Sequence, residues 1–449
     1  MARTEEHPQL GRRGLLFLGT VGLVGLIERL LLWFTYAPYI AGDTEGAYLR
    51  LAEALRGLTL AHYDATRVPG YPLLVLFMDL DPVRIWQVQM AAGWVLALLL
   101  FWFTWRTTHN RVLALTVGML YHLIPAQFLF EANILTETFT AFFVVLSFVM
   151  LREVEETRRS WMTYPAALIL GILACLPGMM RPLLFPLSVW LLLFVLIVVK
   201  GGWRRKLAAG LLFSIGPLLI QGGWLLWVFR TYHMVSPTTL SGYSLVQHTG
   251  AYFEQLPDEE ALIRDTYLRY RDERIAERGV QTNTIWHAIP ELTDVTGMHF
   301  FELSRKMGAL SRQLIRENPL LYSRTVVKGW IDFWKAPVYW DPALVSSSVM
   351  RMILRGAALV GRGLCLLGNA LFLVGGLLAV VSRRMRARLG IDRYTTAVGG
   401  FVLMTSVIQT LADHGDNPRF LVPLQMLVMY TVLRAGWEAL GLHKTKERA

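Results

Sequence analysis

Arginine and carboxylate side chains stand beside the long apolar stretches of this sequence, where charge is costly. At the middle of a bilayer an ionised side chain costs on the order of 2.5 to 3.5 kcal/mol. Arginine can hold an anion such as phosphate through two parallel hydrogen bonds. The charged residues at one end of these stretches are Asp43, Glu45, Arg67, Glu131, Glu137, Arg181, Arg230, Asp413, Asp416 and Arg419. Their positions predict a shared polar cavity at one membrane face, able to hold an anion.

The acids also have structural explanations. The first two lie in YIAGDTEGAYLR, residues 39–50, directly after the first apolar stretch. Asp43 is explained equally well as the cap of the helix TEGAYLRLAEALRG, a role that does not exclude chemistry. Glu45 fits a solvated acid in the first turn of that helix, and Glu131 fits an ordinary loop acid. Glu137 sits one turn into an apolar helix, so the sequence favours a pairing or functional role for it.

The arginines and histidines have simpler explanations too. Arg181, Arg230 and Arg419 could each extend from a helix end to lipid headgroups, about as plausibly as into a shared site. His62 and His414 lack any metal-ligand spacing. No glycine-rich phosphate loop appears in a strand-to-helix setting, which argues against direct nucleotide use.

The composition places the elements that carry these residues in a membrane. Of 449 residues, 54% are hydrophobic and 17% are charged, against about 25% charged in soluble domains. We therefore predict an all-α polytopic membrane protein with about ten transmembrane helices and extracytoplasmic helical loops. Cys175 and Cys365 lie inside apolar segments and are predicted to be packing residues. The predicted spans lie near residues 14–38, 86–105, 112–130, 134–151, 163–180, 183–199, 207–228, 357–381, 394–411 and 420–437.

Basic residues in the short connectors predict the orientation. RTTHNR, REVEETRR, KGGWRRK and SRRMRARLGIDR would all face the side of the N-terminus, and such a Lys/Arg excess marks the cytoplasm. We therefore predict a multi-pass protein of the plasma (inner) membrane with both termini cytoplasmic. Much of the formal charge of +11 then follows from topology, and no nucleic-acid partner is needed to explain it.

The chain is predicted to have three regions. Residues 1–228 form an N-terminal transmembrane module whose first outer loop spans 39–85. Residues 229–343 form an extracytoplasmic helical loop or cap, and residues 344–449 form C-terminal transmembrane helices and a cytoplasmic tail. The cap sequence LPDEEALIRDTYLRYRDERIAERG has helix start and stop signals, and GMHFFELSRKMGALSRQLIRENP repeats them. LLYSRTVVKGWIDFWKAP is typical of an interfacial helix.

Short motifs occur in a recognisable order along nearly the whole chain. They are an acid after the first span, R-x-P-G-Y-P before the second, T-E at the head of the fourth, R-P after the fifth, VSPTTLSGYSL after the seventh, and E-N-P then N-P-R-F-L-V-P before the last. This order resembles the GT-C membrane glycosyltransferases, particularly the protein O-mannosyltransferase and aminoarabinose transferase superfamily. The resemblance implies an enzyme that moves a sugar from a polyprenyl-phosphate donor to a glycan, lipid or protein acceptor at the extracytoplasmic face, among membrane lipids.

The resemblance also implies roles for individual residues. Asp43 matches the catalytic carboxylate of the first outer loop and would be the general base. Glu137 matches the second acidic position, where it would orient an arginine or the acceptor, or help to hold a divalent metal ion; no other cofactor is implied. The Asp-Glu doublet of the protein mannosyltransferases is here Asp43-Thr44-Glu45, so a protein acceptor is not secured. The implied substrate-binding residues are Arg67, Arg181, Arg230, Arg419, Tyr71 and Glu131.

Two other functions remain open at this point. A lipid or glycolipid transporter (flippase) would also be polytopic and basic inside, but its ionisable residues would be expected near the bilayer midplane in repeat-related halves. An O-antigen-type ligase or polymerase would use an outer-face arginine and histidine in place of a base after the first span. Loss of transferase activity in Asp43→Asn would separate the glycosyltransferase from both.

Overall fold

The computed structural model describes four stretches of the chain, residues 10–38, 42–157, 160–415 and 417–441. It gives the backbone of Asp43 and Glu45 but not their side chains, and Asp416 and the C-terminal tail lie outside the described residues. The described stretches contain helices and no strand. The predicted all-α class is therefore confirmed.

Twenty-one α-helices occur in the described residues. In chain order they are α1 Gly11–Thr35, α2 Gly42–Ala54, α3 Gly70–Phe77, α4 Pro82–Thr108, α5 Arg111–Leu123, α6 Pro125–Phe128, α7 Glu137–Glu156, α8 Thr163–Met180, α9 Pro186–Val198, α10 Trp203–Gly216, α11 Gly223–Tyr232, α12 Ser241–Thr249, α13 Ala261–Arg278, α14 Thr284–Thr296, α15 Phe300–Glu317, α16 Pro319–Phe333, α17 Ser348–Val381, α18 Arg383–Arg388, α19 Arg393–Ala412, α20 Asn417–Leu421 and α21 Gln425–Ala439.

Seven helical segments of the described chain are long and apolar enough to cross a membrane. They are α1, α4, α8, the continuous segment Trp203–Tyr232, α17, α19 and Asn417–Ala439. An eighth span results if α5 and the following segment Pro125–Ala132, bent by 63°, are counted as one. The break falls at Pro125, which has no N–H to continue the helical hydrogen bonds. The protein is a multi-pass membrane protein, as predicted.

Two further predicted spans, near residues 134–151 and 183–199, form helices that are too charged or too short to be counted as membrane-spanning. α7 carries Glu137 at its start and Arg152, Glu153 and Glu155 near its end, which is more charge than a lipid-facing span tolerates. Most of its residues are buried, and it packs against α4 and α8. The helix Pro182–Val198 is apolar but short. Burial among other helices allows α7 to keep its charges.

A cap with its own apolar core precedes α16. Tyr243, Phe253 and Leu303 belong to a buried cluster formed by α12 to α15 and the segment between α12 and α13. α13 ends at Gly279, whose φ of +71° is the left-handed conformation of a helix C-terminus. α15 ends at Asn318. Both ends agree with the sequence signals, whereas α14 was not predicted.

Stacked histidines join the cap to the membrane-spanning helices. His248 of α12 and His414, between α19 and α20, have ring centroids 5.4 Å apart, and both are buried. His248 Nδ1 lies 2.9 Å from Thr325 Oγ1, and His414 Nε2 lies 3.5 Å from Asp332 Oδ2. Because Thr325 and Asp332 belong to α16, three parts of the chain meet at this pair.

Acid should destabilise the protein through these histidines. Burial and the nearby His414 lower the pKa of His248 to about 3, and burial lowers the pKa of His414 although Asp332 opposes it. The unfolded chain binds both protons near pH 6.5, so stability is present above this pH and is lost as the pH falls, by at most about 1.4 kcal/mol per pH unit for each histidine. Thermal unfolding in detergent from neutral pH to about pH 4.5 measures the loss.

The variant His248→Gln should flatten this pH profile because it removes one of the two proton-binding groups. His62→Gln is the matched control, since His62 is exposed. A profile in His248→Gln as steep as that of the unmodified protein would contradict the prediction.

Candidate active site

Glu137 is buried between two arginines. It is the first residue of α7 and is 1% exposed. Arg419 of α20 donates from Nε to Glu137 Oε1, and Nη1 of Arg181, just after α8, lies 3.4 Å from the same oxygen. Two guanidinium groups thus meet at one carboxylate oxygen. We call these three residues the Glu137 cluster.

Local structure explains why this cluster can be buried. A carboxylate at a helix start is stabilised by the unpaired N–H groups of the first turn. The guanidinium carbon of Arg181 lies 4.6 Å from the centroid of the Phe420 ring, which is a cation–π distance. Gly70 allows α3 to touch the end of α8, because a Cβ atom there would lie 2.3 Å from the Met179 carbonyl oxygen. Arg181, two residues after Met179, therefore lies next to a close contact between the backbones of α3 and α8.

A buried glutamine fixes Tyr71 and the turn that leads to α7. Tyr71 donates its hydroxyl proton to Gln89 Oε1 over 2.9 Å. Gln89 Nε2 donates to the carbonyl oxygens of Glu131 and Asn133, over 2.8 and 2.7 Å. Gln89 is fully buried. It was not predicted from the sequence, although an amide within an apolar predicted span was a signal that could have found it.

Arg67 lies beside the helix that carries Asp43. Its guanidinium carbon is 5.9 Å from the centroid of the Tyr48 ring, and the Tyr48 ring meets Tyr71 edge-on at 5.0 Å. Asp43 is in the first turn of α2, five residues before Tyr48. The side chains of Asp43 and Glu45 are outside the described residues, so the predicted role of Asp43 stays a prediction.

One apolar cluster joins the chain segments of five candidate residues. It contains Tyr48, Tyr71, Phe139, Met180 and Val422. Each of these lies within five positions of a candidate, respectively Asp43, Arg67, Glu137, Arg181 and Arg419. Segments distant in sequence therefore converge on one apolar cluster, and the predicted shared polar cavity stays a prediction.

Glu131 belongs to a different group of charges. Arg29 Nη2 lies 2.5 Å from Glu131 Oε1, and Tyr121 donates to the same oxygen over 2.9 Å. Glu28 is 3.4 Å from Arg29 and 2.8 Å from His122 Nδ1. The structure therefore separates Glu131 from the Glu137 cluster and pairs its carboxylate with the first span, which corrects the interpretation of Glu131 as an ordinary loop acid.

Arg230 lies in the last turn of α11 and is exposed. No ion pair with an acid is described for it within the described stretches of the chain. Its predicted substrate-binding role stays a prediction.

The described residues contain no candidate metal site. Within them no group of three His, Cys, Asp or Glu side chains could hold a metal ion. The contacts described for Glu137 are with arginine side chains, and its predicted help in holding a divalent metal ion stays a prediction.

Solved membrane enzymes share this architecture, although no family model and no curated protein matches the chain. Oligosaccharyltransferase AglB from Archaeoglobus fulgidus, in complex with an inhibitory peptide and a dolichol-phosphate, is similar over 97% of this chain with a TM-score of 0.52 and 14% identity. The apo form of the Archaeoglobus fulgidus oligosaccharyltransferase is similar over 97% of this chain and 52% of its own chain, with a TM-score of 0.50 and 12% identity.

A third structure is ArnT from Cupriavidus metallidurans bound to undecaprenyl phosphate. The match covers 96% of this chain and 78% of the ArnT chain, with 12% identity and a TM-score of 0.36. The chain spans 52% of the length of AglB, about half. The similarity to AglB shows the fold: the chain has the GT-C fold that the order of motifs predicted.

The Glu137 cluster should make a large contribution to stability. Glu137→Ala removes the buried carboxylate that pairs with both arginines, for which we expect a loss of about 3 to 5 kcal/mol in the free energy of unfolding. Thermal unfolding in detergent measures it. Glu53→Ala is the control, because the pair of Glu53 with Arg56 is exposed and should contribute little. Similar small shifts in both variants would contradict the prediction.

Proposed function

We propose that the protein is a glycosyltransferase that moves a sugar from a polyprenyl-phosphate donor to an acceptor at the extracytoplasmic membrane face. The observation that carries the proposal is the Glu137 cluster, in which two arginines from separate parts of the chain meet at one buried carboxylate, on a fold similar to that of AglB. AglB is in complex with a dolichol-phosphate. Guanidinium groups gathered in this way suit the phosphate of such a donor.

The proposed reaction breaks the bond between the anomeric carbon and the phosphate oxygen. Polyprenyl phosphate leaves with the bonding electron pair, and Arg181 and Arg419 stabilise the charge that develops on it. Arg67 approaches the same donor from the turn between α2 and α3. The acceptor oxygen or nitrogen forms the new bond to the anomeric carbon, and its proton passes to the carboxylate of Asp43. Glu137 holds the two arginines in place.

The proposal includes an orientation. α7 has 20 residues, so its ends are about 30 Å apart. Glu137 lies at one end, while Glu153 at the other end pairs with Arg106 over 2.9 Å. Because Arg106 belongs to a basic connector, we assign that end and both termini to the cytoplasm. The Glu137 cluster, the loop 39–85 and the cap 229–343 then lie on the extracytoplasmic side.

Asp43→Asn tests the general base. An amide cannot accept the proton, so kcat should fall by about two to four orders of magnitude with little change in affinity for the lipid phosphate. Transfer from a radiolabelled polyprenyl-phosphate sugar is the assay, and Glu53→Gln on the same helix is the control. Full transferase activity in Asp43→Asn would overturn this role, and transport without any transferase activity would favour the flippase.

Arg181→Ala and Arg419→Ala test the anion site. Each variant removes a cation next to the proposed phosphate position, so each should weaken binding of undecaprenyl phosphate by about tenfold or more, well beyond the effect of Asp43→Asn. Binding can be followed by titration in detergent, and copurified lipid by mass spectrometry. Arg312→Ala, at an exposed position on the cap, is the control. Unchanged affinity in both variants would remove these arginines from the site.

A further inference from the structure

A tightly folded turn between α2 and α3 carries Arg67. Asp64 Oδ1 accepts hydrogen bonds from the amide nitrogen of Thr66 over 2.9 Å and from its hydroxyl over 2.7 Å. Ala65, between them, has a φ of +52° and is fully buried. This left-handed conformation is rare for alanine. The Asp64 carboxylate supplies the local hydrogen bonds that hold it.

The second carboxylate oxygen of Asp64 reaches the helix that carries Asp43. Arg50 Nη1 of α2 lies 2.8 Å from Asp64 Oδ2. Both side chains are partly exposed, and exposed ion pairs contribute little to stability. The contact joins α2 to the turn.

The far side of the turn is bound to the segment after α11. Thr239 donates from its backbone nitrogen to the carbonyl oxygen of Ala65 over 2.9 Å and from its hydroxyl to the carbonyl oxygen of Asp64 over 3.1 Å. Tyr232 donates to the carbonyl oxygen of Tyr63 over 2.5 Å. Both sides of the turn are thus anchored, and Asp64 contributes to each.

We propose that Asp64 is a positioning residue. It fixes the position of Arg67 relative to α2, so that Arg67 and Asp43 act on the same donor. Tyr63 completes the arrangement, because its hydroxyl donates to the carbonyl oxygen of Arg67 over 3.0 Å. The guanidinium of Arg67 is thereby kept beside Tyr48. The inference rests on the proposed function, in which Arg67 contacts the donor.

A double-mutant cycle tests the proposal with undecaprenyl phosphate as the probe. Arg67→Ala should weaken binding by about tenfold, and Asp64→Ala should weaken it by nearly as much because the turn no longer fixes Arg67. The double variant should then be no weaker than Arg67→Ala alone. Asp64→Asn, which keeps an acceptor oxygen for Thr66, should restore binding to within about threefold of the original.

The outcomes separate this inference from the proposed function. Unchanged binding in Arg67→Ala would remove Arg67 from the donor site, whatever Asp64 does. Weak binding in Arg67→Ala with normal binding in Asp64→Ala would overturn the role of Asp64. So would full additivity of the two changes, or a loss in Asp64→Asn equal to that in Asp64→Ala.

A second variant covers the case in which Asp64→Ala does not fold. Thr66→Val combined with Arg50→Gln removes two of the three donors to Asp64 and leaves its carboxylate in place. Binding should weaken by about threefold when Arg67 is present and should not change when Arg67 is already alanine. Equal binding with and without these two substitutions in the presence of Arg67 would overturn the proposal.

Discussion

The ion pairing of Glu137 with two arginines is the interaction on which the proposed site depends. Taking an ion out of water costs several kcal/mol, and only close opposite charges and hydrogen bonds offset that cost. Arg181 follows α8 and Arg419 lies in α20, so the cluster forms only when three separate parts of the chain are correctly packed. The site and the fold therefore stabilise each other.

Two buried groups of charges lie near the same turn, and their composition differs. Around Glu131 there are two carboxylates, Glu131 and Glu28, for a single arginine, Arg29, together with a histidine. The Glu137 cluster brings two arginines to one carboxylate. Arginine side chains bind phosphate well, so the Glu137 cluster is the better match to a lipid phosphate. The group around Glu131 joins α1 to α4 and α5 through buried hydrogen bonds and is the better candidate for a structural role.

The helices and their order could be predicted from the sequence because apolar length and charge are local properties. The two helix ends in the cap, at Gly279 and before Asn318, were predicted for the same reason. The partner of Glu131 could not be predicted from the sequence, because Arg29 is 102 positions away and nothing in either segment specifies the other. Gln89 was not predicted because its role depends on three hydrogen-bond partners that are distant in sequence, Tyr71, Glu131 and Asn133. Costly charge at span ends predicted that arginines converge, and Arg181 and Arg419 do meet at Glu137, but this argument names no partner for any one of them.

The cap and the Glu137 cluster are mechanically connected through Asn417. Its side-chain nitrogen donates to the carbonyl oxygen of Gly329 in α16 over 3.0 Å, and it accepts from Gln409 of α19 over 3.2 Å. Asn417 begins α20, two residues before Arg419, and is fully buried. Because His414 packs on the cap just before this point, a shift of the cap would displace the short helix α20. The position of an arginine proposed to bind phosphate therefore depends partly on the cap.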